Sequence, residues 1–181
     1  MVKDFYEEDP EITAMTREEV VEYRKKNFNI IVELFKKDSF NYGLTTVKKE
    51  EDTRTPEEIE DYLFQIIPKP VKTIEQAFKR FPEILEQCRI QKFVNPSPVQ
   101  SQLWPILLKG LDCVGIAQTG TGKTLAFLLP ALIHIDNQTT PRDKRVGPNC
   151  LVLSPTRELA IQIEHEVKKI NYKGIKSVCG N

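Results

Sequence analysis

Residues 117–124 of this 181-residue chain read Ala117, Gln118, Thr119, Gly120, Thr121, Gly122, Lys123, Thr124. Two glycines one residue apart let a backbone curl until several amide groups face one anion, a path that side chains would obstruct. A lysine placed next adds a full positive charge, and the hydroxyl after it can ligate a hard cation such as Mg²⁺. If a helix starts there, its amino end adds partial positive charge toward the same point. Such a loop grips the β- and γ-phosphates of a nucleoside triphosphate, with Lys123 stabilising phosphate charge and Thr124 holding the metal. The plainer alternative is a glycine-rich turn carrying an incidental lysine. The strict form of the pattern opens with glycine, and here Ala117 stands in that place.

A phosphate loop does not choose its base, but a segment upstream can. Phe93 lies seven residues before Gln100, with Pro96 and Pro98 between them to stiffen the path. A glutamine amide pairs with N7 and the N6 amine of adenine together, whereas guanine presents a carbonyl and loses about 1–3 kcal/mol. Ser97 and Pro98 also read as the cap and first residue of a helix, a role compatible with Gln100 facing a base. A third candidate is Pro155, Thr156, Arg157, whose guanidinium suits bidentate contact with a phosphate. The alternative for Arg157 is an ion pair with Glu158 or Glu164.

The elements around these residues supply the context the chemistry needs. Residues 111–117 are short, apolar and β-branched, as a buried strand would be, and 125–135 have helical length, with Pro130 expected to kink them. Residues 150–154 read as a second strand, so Thr156 and Arg157 fall where its carboxyl end turns into a helix, the edge at which parallel sheets collect ligands. On that helix Leu159, Ile163, Val167 and Ile170 form an expected buried stripe opposite Lys168, Lys169 and Lys173.

Together these residues resemble the DEAD-box RNA helicases. Residues 93–100 are similar to that family's Q motif, 117–124 to its form of motif I, Ala117 included, and 155–160 to its motif Ia, a turn that contacts RNA. The resemblance implies an α/β fold: part of a RecA-like P-loop NTPase, with a parallel sheet flanked by helices. It further implies ATP and Mg²⁺ at 117–124, adenine read by Gln100, and RNA backbone held at Pro155, Thr156 and Arg157. Asn27 to Ile30 and Pro68 to Pro70 are similar to the linker of a subgroup that carries an N-terminal KH domain. The departures are concrete. The family's isolated adenine-stacking aromatic is replaced by Ile74, with Phe78 a turn further on; the Q motif's usual glycine is Lys92; and no Asp-Glu-Ala-Asp occurs. The expectation is therefore an N-terminal piece of an ATP-dependent RNA helicase that binds without hydrolysing, the alternative being a natural short form that binds nucleotide, RNA or protein without turnover.

Charge divides the chain. Its 26 basic and 26 acidic residues cancel overall, yet residues 1–72 carry 12 basic and 17 acidic groups, and residues 73–181 carry 14 and 9. The expected organisation is a charged arm over 1–72, offering a surface to a protein partner, followed by the ATP-binding domain over 73–181. Thr16 to Glu19 and Thr55 to Glu58 read as capping boxes opening two helices in that arm, taken as marginal within a mobile tail. The apolar run Phe28, Ile30, Ile31, Leu34 and Phe35 is suited to docking. Cys88, Cys113, Cys150 and Cys179 form no C-x-x-C pair, which speaks against a zinc site or a disulfide framework. The chain has no apolar run near the roughly 20 residues that span a bilayer, and its first residues are unlike a secretory leader. An intracellular location, nucleus or cytoplasm, is expected.

Overall fold

The structure, a computed structural model, describes residues 4–27, 30–31 and 55–180. Among them run eight α-helices: α1 (Pro10–Thr13), α2 (Arg17–Lys26), α3 (Pro56–Ile66), α4 (Ile74–Phe78), α5 (Pro82–Ile90), α6 (Pro98–Leu108), α7 (Lys123–Asp136) and α8 (Arg157–Lys169). Proline opens α1, α3, α5 and α6, where its missing N–H costs nothing and its fixed φ suits a helix. Reciprocal capping boxes start α2 (Thr16 with Glu19), α3 (Thr55 with Glu58), α4 (Thr73 with Gln76) and α6 (Ser97 with Gln100). Each such cap contributes about 1 kcal/mol by satisfying amide donors the helix leaves orphaned.

The carboxyl end of α5 fixes the approach to Gln100. Phe93 N–H donates to the Cys88 carbonyl at 2.9 Å and Lys92 N–H to that of Arg89 at 2.9 Å, the paired bonds of a Schellman ending. That ending places a left-handed residue between the two, and Lys92 takes it with φ +59°. The family's usual glycine at this position thus has a backbone reason.

α6 and α7 pack most extensively against each other and carry the core. Trp104, Leu108, Leu125, Leu129, Leu132 and Ile133 are buried between them, with Phe78 edge-on to Trp104 at 4.8 Å. Ile74 and Phe78 are both buried in this cluster, so neither presents a side chain to a base. α7 is continuous through Pro130. In α6, Pro105 has no N–H to return to the carbonyl of Ser101. That carbonyl accepts instead from the N–H of Val71 at 2.9 Å, so a segment ahead of the helix takes the bond the helix cannot make.

The first described residues are docked, in contrast to the expected solitary helices. Phe5 N–H donates to the Leu108 carbonyl at 2.8 Å, Tyr6 is buried in the main core, and Ile12, Met15 and Val20 form a second cluster with Tyr23 and Phe64 against it. Lys69 donates to the carbonyls of Thr13 and Met15 at 2.7 and 2.8 Å, closing the end of α1. Lys72 and Lys79 pair with Glu11 and Glu7. Of the apolar run, Phe28, Leu34 and Phe35 lie outside the described residues, and Ile31 is exposed.

The expected sheet is not formed among the described residues. Residues 111–118 and 148–153 run without a strand ladder, and Val114, Ile116, Leu151 and Leu153 are exposed. β-structure is a pairing rather than a property of one segment, and among the described residues neither stretch is joined in a ladder. α8 meets the expectation only at its end. Of the expected stripe, Val167 packs on the core and Ile170 is buried with Tyr172, but Leu159 is exposed and no residue within the helix itself is buried. No helix among the described residues is long and apolar enough to cross a membrane.

Candidate functional site

Gly120 and Gly122 both adopt positive φ, +79° and +80°, within a turn whose Thr121 hydroxyl donates to the Gln118 carbonyl at 2.7 Å. The two glycines are there for different reasons. A Cβ on Gly120 would meet nothing, so only its backbone angle demands glycine. A Cβ on Gly122 would collide with the Gln100 amide nitrogen and also approach the Ser97 hydroxyl. Gly122 is the N-cap of α7, and its carbonyl accepts from Ala126 N–H at 3.1 Å.

Gln100 makes the link to that loop. It is buried; its carbonyl oxygen accepts from the Ser97 N–H at 2.9 Å, and its amide nitrogen donates to the Gly122 carbonyl at 3.0 Å. The orientation of the amide is fixed by chemistry: an N–H on one side needs an acceptor, and a carbonyl on the other needs a donor. One donor hydrogen and one acceptor lone pair of the same amide remain uncommitted. Phe93 is partly buried and packs on the core beside this approach.

Lys123 opens α7, and its ammonium donates to the carbonyl of Gln118 at 2.7 Å and to that of Ala117. Thr124 follows in the first helical turn, half-buried. Gln118 and Thr119 are exposed on the outer side of the loop. The residues present fit a phosphate-bound Mg²⁺: the turn places no Cβ at its two positive-φ positions, and the donor set is an ammonium, a hydroxyl and backbone amides at a helix start.

Pro155, Thr156 and Arg157 form a separate exposed turn. Thr156 caps α8, its hydroxyl accepting from Leu159 N–H at 3.3 Å, and Ser154 donates to the Thr156 carbonyl at 3.1 Å. Arg157 enters no ion pair among the described residues, and Glu164 pairs with Lys168 instead. No hydrogen bond joins this turn to residues 117–124 among the described residues.

Two residues near the site escaped the sequence reading. Gln102, buried two residues after Gln100 on α6, accepts from Arg24 Nε at 3.1 Å and donates to the Pro68 carbonyl at 2.8 Å. The only local signal was three polar residues in a row, Gln100 to Gln102, in a helix otherwise apolar. Arg24 carried none, because its partner is 78 residues away.

The chain is similar to known proteins over most of its length. The family model for DEAD/DEAH box helicases matches residues 97–181. The chain is 41% identical over 177 residues to a human protein named probable ATP-dependent RNA helicase DDX43, covering 98% of this chain and 24% of that protein. It is 40% identical over 181 residues to DEAD-box ATP-dependent RNA helicase 20 of Oryza sativa subsp. japonica, covering 98% of this chain and 29% of that one. Among solved structures, the RNA helicase Prp28 from Chaetomium thermophilum bound to ADP superposes with a TM-score of 0.55 at 30% identity, over 76% of this chain and 36% of that one. The chain thus spans roughly a quarter of the length of the curated relatives it matches. On its motifs and on these matches, residues 97–181 fit the DEAD/DEAH box helicase family model, and the chain is similar to DEAD-box RNA helicases over nearly its whole length.

Proposed function

We propose that this chain binds ATP with Mg²⁺ at residues 117–124 and carries part of the RNA-binding surface of an ATP-dependent RNA helicase. The observation that carries the reading is the Gln100 to Gly122 bond, which sets a base-reading amide directly on the phosphate loop. Gln100 would pair adenine with the donor and acceptor it has left, keeping both of its present bonds. Lys123 would exchange its two carbonyl partners for phosphate oxygens, which accept from an ammonium more strongly because they carry charge. Thr124 would hold Mg²⁺, and the metal, when bound, neutralises phosphate charge. Pro155, Thr156 and Arg157 would touch RNA through its backbone, a mode that fixes position rather than sequence. The names of the relatives and the ADP in the Prp28 structure support this assignment.

The same reading makes the 181 residues a binding unit rather than a turnover unit. Hydrolysis needs a group to position the attacking water, and no carboxylate makes a hydrogen bond to residues 117–124 among the described residues. Residues 73–181 would form the ATP-binding unit and residues 1–72 a flanking segment able to meet a protein partner.

The test is titration of the chain with Mg²⁺–ATP and Mg²⁺–GTP by calorimetry. ATP should bind more tightly, and Lys123→Ala should weaken ATP by about a hundredfold, the loss of two charge-assisted bonds. Residual adenosine binding should survive that substitution. Equal affinity for both nucleotides would remove Gln100 from its role, and unchanged ATP binding in the Lys123 variant would remove the loop from its own.

A further inference from the structure

We propose that Arg24 is a positioning residue for the nucleotide site, acting through helix α6 on Gln100; this rests on the adenine reading of Gln100 given above. Three consecutive buried residues of α6 face polar partners on both sides of the helix. Gln100 reaches Gly122 of the phosphate loop at 3.0 Å. Ser101 gives its carbonyl, freed by Pro105, to Val71 N–H at 2.9 Å. Gln102 accepts from Arg24 at 3.1 Å and donates to the Pro68 carbonyl at 2.8 Å. Tyr23, the neighbour of Arg24 on α2, donates its hydroxyl to the Val71 carbonyl at 3.2 Å, so α2 grips both α6 and the strap that crosses it.

α6 is therefore stitched to the phosphate loop along one side and to the N-terminal segment along the other, within one helical turn. Gln102 has a carbonyl oxygen and an amide in a buried site, and each is matched to one partner. Removing Arg24's donor leaves that oxygen unpaired, and the helix can recover it only by shifting or letting water in. A shift of the first turn of α6 moves Gln100 relative to Gly122, where the amide already sits closer than a Cβ on Gly122 would permit. The phosphate contacts of Lys123 and the loop amides do not pass through α6 and should be spared. The predicted signature is loss of adenine recognition with phosphate grip retained, which a general loosening of the fold would not produce.

The experiment compares the whole 181-residue chain with Arg24→Met, which keeps the apolar stem, and Arg24→Lys, which keeps a charged donor. Each is titrated with Mg²⁺–ATP, Mg²⁺–GTP and inorganic tripolyphosphate, and its amide hydrogen exchange is followed without ligand. Arg24→Met should weaken ATP by about threefold to tenfold, the worth of one buried hydrogen bond. GTP and tripolyphosphate should hold steady, exchange at residues 97–102 and at Ala126, whose N–H shares the Gly122 carbonyl with Gln100, should quicken, and Arg24→Lys should restore most of the difference. ATP affinity unchanged in Arg24→Met overturns the proposal. So does a parallel fall for all three ligands, which would make Arg24 merely structural. If the unmodified chain shows no preference for ATP over GTP, the adenine reading of Gln100 fails on its own. Exchange then decides the coupling: faster exchange at Ala126 in Arg24→Met supports it, and unchanged exchange overturns it.

Discussion

Lys92 and Gly122 both sit where the backbone turns left-handed, and they resolve the demand in opposite ways. Gly122 has no alternative, because its positive φ coincides with close approach by Gln100. Lys92 accepts the strain: a side chain at φ +59° in a Schellman ending costs about 1 kcal/mol relative to glycine. The strain persists because Phe93 and the two bonds back into α5 hold the turn in place. Lys92→Gly should therefore raise the stability of the chain by about 0.5–1 kcal/mol, since relief of strain outweighs the extra freedom glycine gives the unfolded chain. Urea unfolding followed by circular dichroism measures it directly. A fall in midpoint would mean that the Lys92 side chain makes a contribution its exposed position does not suggest.

Among the elements, those set by neighbours in sequence were legible and those set by distant partners were not. Thr16, Thr55 and Ser97 each read as a helix start, and each makes its bond within three residues. Thr73 with Gln76 carried the same signature unread. The grip of α2 on α6 was invisible because neither Arg24 nor Gln102 announces a partner across the chain, and the anchoring of Tyr6 was hidden in the same way. Segments 111–117 and 150–154 had strand composition, but composition supplies no ladder. At the site, glycine spacing and Gln100 could be read directly; the bond between them depends on how α6 lies against α7. The end of α7 illustrates another distant closure. Asp136 accepts from Arg142 at 2.8 Å and from Lys173 at 2.7 Å, joining α7 to the turn after α8. Partial burial raises the Asp136 pKa, but the bonds and charges of Lys173 and Arg142 outweigh it, and the net shift is downward. A depressed carboxylate contributes stability that is present above its unfolded pKa and lost as pH falls through the folded one. Asp136→Asn should lower the melting temperature at pH 7, and the gap from the unmodified chain should narrow progressively as pH falls below the unfolded carboxylate value of about 3.9. A gap that stays constant across that range would remove ionisation of Asp136 as its cause.

For the molecule as a whole, the unbalanced feature is an apolar surface that its own helices do not cover. Ile116 is 93% exposed, Leu153 84% and Val178 92%, and each lies in a segment with neither helix nor strand. Unladdered segments with β-branched, apolar side chains are candidates for pairing with another chain. The helical core is not at fault, since α6, α7 and the docked N-terminal segment bury their large residues well. The expected behaviour is thus a stably helical core with adhesive unladdered segments, so association should depend on those segments and leave helix content alone. The double variant Ile116→Lys, Leu153→Lys puts charge on both stretches and removes most of the apolar area at their tips. It should reduce oligomer and aggregate in sedimentation velocity at tens of micromolar and weaken binding of a hydrophobic dye, while the far-ultraviolet circular dichroism is retained. An unmodified chain that sediments as a monomer at that concentration and binds no dye would show that these side chains are covered in solution. Loss of helical signal in the double variant would tie the unladdered segments to the core more closely than their exposure implies.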